Sequence, residues 1–355
     1  MVAIKTQMIM KKKILTVVAC TLALASCHNF DTDFPDYTFT SGYFPYQYPV
    51  RTLILGEDIY DNSNDNEGVF LISAHMGGVY QNKSNRTIGI KVDESLCDKA
   101  SFANGDPIKA LPASYYTLSD NNNIVIPKGK MYGSISVQLN EAFFNDPDAI
   151  KNTYVVPIRM TGTSDLDSLL VGKSDTSNPD CRVASDWAVT PKDFTMFGVK
   201  FINEFHGHWF HYGASSVKMA DGKTESTTYK TDGFNSDLTD NETYMLTTTG
   251  RHQCSLKAYL KSSLLNVNPE LLFNFSGDSF TITAPEGADY TVTGSGTAQK
   301  ADASDTYNRF NGKERIYLKY SFTYTDSKGN VYTANDFLVL RDRAVKLETF
   351  TPVIG

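Results

Sequence analysis

Hydrophobic and polar positions alternate with a period of two through most of the chain from about residue 48 onward. In "VRTLIL", Val50, Thr52 and Ile54 share one face. In "RTIGIKV" the set is Ile88, Ile90 and Val92, and in "SISVQL" it is Ile135, Val137 and Leu139. Such alternation puts every second side chain on the same side of a pleated strand, so these stretches predict half-buried β-strands. "TYVVPIRMTG" predicts another, with Pro157 expected at an edge or a bulge because it lacks an N–H. Residues 140–152, "NEAFFNDPDAIKN", are the best short helix candidate. In "RIYLKYSFTYT" the apolar set is Ile316, Leu318, Tyr320, Phe322 and Tyr324, with mostly polar residues between. Asp221-Gly222, Asp232-Gly233, Asn311-Gly312 and "SKGN" (327–330) mark turns. The second half predicts about eight to ten strands, enough to close a barrel and so remove exposed sheet edges.

Composition agrees with an all-β protein. The chain has 20 Tyr and 21 Phe but only 2 Trp, and Tyr and Phe pack well on pleated surfaces. Tyr rings that stack on sugars are the functional alternative to a purely structural role. At 355 residues, two domains are expected. The net charge of −7 comes with no basic stripe, so nucleic acid is not an expected partner.

The first residues read as an address. Lysines at 11–13 precede an apolar run at 14–25, the layout of a signal peptide. As a helix that run would be about 18 Å long, too short for a hydrocarbon core of about 30 Å. It ends in Leu24-Ala25-Ser26-Cys27, which resembles the bacterial lipobox, with Cys27 as the lipidated residue. Cys20 is a competitor that would leave too short an apolar run before it. The organisation expected is a signal peptide over 1–26, a lipidated Cys27 with a polar tether over 27–47, a β-sandwich over 48–195 and a β-barrel over 196–355. Cys97, Cys181 and Cys254 then remain. Three widely spaced cysteines make neither a disulfide framework nor a CxxC metal site, and buried free thiols are expected.

Residues 115–162 carry a further pattern. Tyr116 and Leu118 lead to Pro127 and Gly129, then to Gly133, Ile135, Val137 and Leu139, and then to Tyr154, Pro157, Ile158 and Arg159. This series resembles the N-terminal domain of a family of Bacteroidota surface lipoproteins. The resemblance covers about residues 40 to 195. It implies an immunoglobulin-like fold and a place beside starch-utilisation-like glycan importers of the outer membrane. No catalytic residue defines the family.

"FHGHWFHYG" (205–213) holds three of the six histidines. Read with "VKFINE" as one strand, it puts Val199, Phe201, Phe205, Gly207, Trp209 and His211 on the core face. His206 and His208 then point outward beside Lys200 and Glu204. Gly207-x-Trp209 resembles the opening-strand signature of lipocalin-like barrels. Two same-face histidines could share a zinc if a neighbouring strand supplied a third ligand, so His206 and His208 are the metal candidates. An exposed or interface strand is the preferred reading, and neither metal nor cofactor is expected.

"DNSNDNEG" (61–68) alternates Asp61, Ser63 and Asp65 like a calcium loop. However, Asn66 replaces the turn glycine and Ile72 stands where the bidentate Glu belongs, so a polar hairpin loop is expected. There is no G-x-S-x-G, H-E-x-x-H or Walker loop. The function expected is a non-catalytic, lipid-anchored outer-membrane protein at the cell surface. It would bind a polysaccharide or oligosaccharide as an accessory to an importer, with Trp187 as the candidate ligand contact. An adhesin with a protein partner is the alternative, and a glycan hydrolase comes after it.

Overall fold

The structure, a computed structural model, describes residues 37, 39–229, 237–301, 309, 310 and 312–355. The signal-like stretch, Cys27 and the Asp232-Gly233 turn lie outside the described residues. The chain forms two β domains.

The first is a two-sheet sandwich. One sheet runs Ser168–Leu169, Ser41–Tyr43, Val69–Gly77, Tyr132–Leu139, Tyr116–Leu118. The other runs Glu348–Thr349, Pro49–Ile54, Phe194–Ile202, Tyr154–Thr163, Arg86–Val92, Asn123–Ile126. The expected alternation holds: Ile72, Ile88, Ile135, Val137 and Val156 meet in one core with almost no exposure. Each such side chain contributes roughly 1.5–3 kcal/mol by leaving water. The sandwich is mostly antiparallel, yet Pro49–Ile54 lies parallel to Phe194–Ile202.

Several expectations change here. The segment assigned to a tether is ordered by residue 41, because Ser41–Tyr43 pairs with Val69–Gly77. Just before it, Thr40 donates from its N–H and its hydroxyl to Asp167 at 2.6 and 2.7 Å. Pro157 lies in a central strand, not at an edge. On one side its strand meets Lys109–Ala110 only as far as Val155, and Arg86–Val92 only from Ile158 onward. Pro157 therefore sits in the gap between two short partners, where no ladder hydrogen bond is lost. The 140–152 helix becomes two short turns, Glu141–Phe144 and Pro147–Ile150, each started by a side-chain cap from Asn140 or Asp146.

The second domain is a closed antiparallel barrel of eight strands. They run Gly207–Lys218, Thr243–Gly250, Gln253–Lys257, Glu270–Ser276, Ser279–Thr283, Tyr290–Lys300, Ile316–Asp326 and Val331–Asp342, which returns to pair with the first. Thr224–Tyr229 covers the far half of the opening strand. The interior is packed with Trp209, Leu246, Phe273, Leu318, Tyr320 and Tyr332, among others.

The strand expected to run through residues 199–211 is broken in two. Phe194–Ile202 belongs to the sandwich and Gly207–Lys218 to the barrel. The domains therefore change over at 203–206 rather than at 195. Asn203 is the cause. Its Oδ1 accepts from Phe205 N–H at 3.1 Å, and its Nδ2 donates to Gly250 O and Gln253 O at 3.0 and 2.9 Å. Its own N–H donates to Thr248 Oγ1 at 3.0 Å. A side chain that satisfies turn backbone in this way competes with strand continuation. Gly207 reopens the strand at φ 149°, where a Cβ would lie 2.3 Å from Asp342 O. Only glycine fits that approach.

The barrel also does not keep its C-terminus. After Asp342 the chain turns at Ala344, whose φ is +56°, and returns to the sandwich. Glu348–Thr349 pairs with Pro49–Val50, and Val353–Ile354 with Ala100–Ser101. Phe350 seals a small core against Tyr48 and Phe102, at ring-centroid distances of 5.5 and 5.2 Å. The tail from residue 345 thus completes the first domain.

Candidate functional site

Between the two domains lies a cleft of about 800 Å³. That is within the usual size range of ligand pockets, and domain junctions are a usual place for them. One wall is the outer part of Pro49–Ile54 with the loop that follows it. The opposite wall is the barrel end, with Ile316, Leu340 and His208. The returning tail, with Val345 and Leu347, closes one side. Two aromatic side chains stand over the cleft: Tyr46 is 65% exposed and Tyr60 is 71% exposed. Rings of this size left in water are available to stack on a ligand. On the same wall Thr52 is buried, and its Oγ1 has no hydrogen-bond partner.

The residues of the calcium-like loop shape this wall. Ser63–Asn66 forms one helical turn instead of a metal loop. Asp65 is buried, pairs with Arg51 and accepts the Ile54 N–H at 3.0 Å. Asn62 Nδ2 donates to Ile54 O and Gly56 O, both at 2.8 Å. These contacts hold the chain as it leaves the strand towards Tyr60.

The cleft is held open by a junction built on Arg343. This guanidinium is buried and donates to four backbone carbonyls: His206 O at 2.9 Å, Asn203 O at 2.6 Å, Glu57 O at 2.7 Å and Leu55 O at 3.0 Å. The first two acceptors belong to the crossover, the last two to the sandwich loop. Burial lowers its pKa to about 10, so it stays charged at neutral pH. Arg251 of the barrel with Glu141 of the sandwich adds a more exposed link across the junction, and Lys200 with Glu348 at 2.8 Å ties the returning tail to the sandwich.

The three histidines of the opening motif separate. His208 lines the cleft, and its Nδ1 is 2.7 Å from Asp342 Oδ1, which also accepts Ala344 N–H at 2.9 Å. His206 does not point into water as expected. Its Nδ1 accepts the Thr248 N–H at 3.0 Å. The two therefore face different partners, and among the described residues no group of three His, Cys, Asp or Glu is placed to hold a metal ion.

Burial first, and then the Arg343 charge, bring the His206 pKa from 6.5 down to about 4. Between those values the unfolded chain binds the proton and the folded chain does not. This contribution to stability is therefore present above pH 6.5 and is lost as pH falls towards 4. The full effect is on the order of 3 kcal/mol. His206→Asn should flatten the fall in unfolding free energy across that window, measured by urea titrations at several pH values. An unchanged slope would contradict this assignment.

His211 faces the barrel interior with Trp209, as the alternation implies. It stacks on Tyr244 at 4.3 Å, and its Nε2 lies 3.2 Å from Asp336 Oδ2. Burial opposes its charge, but the carboxylates of Asp336 and Glu242 outweigh that and raise its pKa. Tyr229 also donates to Asp336. Sequence reasoning missed Asp336, although it stands at an inward position of an otherwise apolar face. Arg343, beyond the last barrel strand, gave no signal at all.

Trp187 does not reach the cleft. It is half-buried, its Nε1 donates to Asp180 O at 2.8 Å, and its ring packs beside Gly172. It lines a separate polar pocket of about 300 Å³ with Arg159 and Asp193. Among the described residues the three cysteines are free thiols, with Cys254 buried and Cys97 and Cys181 half-buried. Burial raises Cys97 and Cys254 to about 12, which keeps them protonated and unreactive.

With this geometry in place, similarity to known proteins can be read. A family model described as a "-like, N-terminal domain" matches residues 36–167, and one for a domain of unknown function, DUF5627, matches residues 204–344. A solved structural-genomics protein of unknown function from Bacteroides ovatus is 31% identical, with a TM-score of 0.81. The match covers 90% of this chain and 100% of that one. The chain belongs to the family of that protein, a two-domain all-β family. A second unknown-function structure from B. ovatus and a multidomain protein including DUF1735 from the same organism are each 12% identical, with TM-scores of 0.39 and 0.40. They cover 88% and 87% of this chain, and 99% of each of those chains is matched. No curated protein matches the sequence.

Proposed function

We propose that the protein is a non-catalytic, lipid-anchored surface protein that binds a glycan in the cleft between its domains, as an accessory to an outer-membrane importer. The observation that carries the reading is the cleft itself, where Tyr46 and Tyr60 stand exposed over a largely apolar wall. Sugars present apolar C–H faces, and the two exposed rings offer a surface on which these stack. The Arg343 junction supports the reading, because a preformed cleft avoids the entropic cost of assembling the site on binding. The Leu24-Ala25-Ser26-Cys27 lipobox supports the anchor.

Two experiments test the two halves of the proposal. Affinity electrophoresis of the full folded chain against a panel of plant, fungal and host polysaccharides should show retardation by at least one. Retardation by none would sink the glycan reading. Cys27→Ala should move the protein from the membrane to the soluble fraction. A variant that stays with the membrane would overturn the anchor.

A further inference from the structure

Away from the cleft, the sandwich carries the polar pocket of about 300 Å³ beside Trp187. The indole there is fixed at two points. Its Nε1 donates to Asp180 O at 2.8 Å, and its ring fills the space over Gly172, where a Cβ would lie 2.8 Å from Cε3. Gly172 has a φ of +79°, so the turn and the close approach both call for glycine. Arg159 is fixed as firmly. Its Nε donates to Asp93 Oδ2 at 2.6 Å and its Nη2 to Cys181 Sγ at 3.3 Å. The remaining end, Nη1, makes no hydrogen bond and lies 3.9 Å from Asp193 Oδ2, a loose ion pair.

The other charges of the pocket are matched. Arg182 gives Nε and Nη2 to Asp180 at 2.9 and 2.6 Å, and Nη1 to Leu96 O and Asp98 O at 2.9 and 2.6 Å. Asp193 is the exception. Its Oδ1 is buried without a partner, and its Oδ2 has nothing closer than the Arg159 contact. Burial raises its pKa, and the Arg159 charge opposes that shift. A carboxyl perturbed by burial, with one charged partner and a place in a pocket wall, marks a candidate binding site. An anion in this pocket would face Asp180 and Asp193, and a cation drawn to Asp193 would meet Arg159 Nη1. The open groups are thus one N–H end and one carboxylate oxygen side by side, in a pocket that an indole also lines. Neighbouring hydroxyls on a ring with an apolar C–H face match that set. One hydroxyl accepts from Arg159, the next donates to Asp193, and the C–H face meets Trp187.

We propose that this pocket is a second binding site, which takes a single neutral sugar ring through Trp187, Arg159 and Asp193. It stands apart from the cleft and does not rest on the reading given for the cleft. Its volume is at the low end of ligand pockets, which suits one ring and not a chain.

Tryptophan fluorescence reads this site, because the only other tryptophan, Trp209, is buried in the barrel. The full chain is titrated with the methyl glycosides of glucose, galactose, mannose, xylose and N-acetylglucosamine. The expected result is a saturable change in emission with at least one of them, at a Kd on the order of 1 mM. Trp187→Phe should abolish the signal. Asp193→Asn should raise the Kd about ten-fold or more while Tm moves by no more than about a degree or two. If that variant folds poorly, Trp187→Ala read by calorimetry takes its place, with binding lost. The double change Tyr46→Ala and Tyr60→Ala should leave the signal as it is, whatever the cleft binds. No saturable change with any glycoside, a Kd unchanged in Asp193→Asn, or a signal lost in the cleft variant overturns the assignment. A response to betaine or free amino acids with none to the glycosides overturns it too, by placing a charged ligand in the pocket.

Discussion

Arg343→Met lowers the unfolding free energy by about 4 kcal/mol and loosens the two domains from each other. The reason is the number of groups left behind. Four carbonyls, on Leu55, Glu57, Asn203 and His206, the Asn203 one fully buried and the others partly so, lose their donor at once. A buried acceptor without a partner costs about 1–3 kcal/mol, partly recovered as water enters. Met fills most of the volume, so the loss reports hydrogen bonding rather than a cavity. Lys should recover little, because a single ammonium cannot span four carbonyls set around a planar fork. Thermal unfolding should show a fall in Tm on the order of 8 °C, or a split into two transitions. A variant with unchanged Tm and one sharp transition would show that the junction is held elsewhere.

The second large effect is expected inside the barrel. Asp336→Ala should cost about 3 kcal/mol and invert the titration of His211. In the native protein the imidazole is buried but raised in pKa by Asp336 and Glu242. Without Asp336, the nearest carboxylate is Glu242 at 3.8 Å, from a half-exposed side chain. Burial then dominates, and the pKa should drop below the ordinary histidine value. Shedding the proton limits the loss, since a buried charge without its partner would cost more. Tyr229 loses its acceptor as well. His211→Phe in the Asp336→Ala background should recover part of the stability by removing the stranded polar ring. NMR titration of the His211 ring protons reads the inversion directly, and a pKa that stays raised would contradict the assignment.

Much of this fold is legible in local sequence. Alternation at Ile88, Ile90 and Val92, or at Leu318, Tyr320 and Phe322, records which face of a strand is dry, and the structure keeps those faces. Trp209 and His211 fall inside the barrel for the same reason. Legibility ends where a residue's partners lie far along the chain. The carbonyls held by Arg343 are 137 to 288 positions away. Asn203 breaks a convincing alternation because its side chain ties down residues 250 and 253. The closing tail carries only Phe350 as a partly buried aromatic, too little pattern to announce its return. The cleft is harder still to read. Tyr46 and Tyr60 sit in irregular segments, where period says nothing about direction. They become neighbours of the barrel only through the crossover and the tail.

Binding in the cleft can be measured directly. The direct measurement is calorimetric titration of the full chain with the polysaccharide that retards it most, beside Tyr46→Ala and Tyr60→Ala. Both rings are exposed, so neither change should move Tm by more than a degree or two. The prediction is a loss of affinity of about ten-fold for each and more for the pair, a ten-fold loss being about 1.4 kcal/mol. Binding of undiminished strength in the double variant, with Tm unchanged, would place the glycan elsewhere and contradict the account.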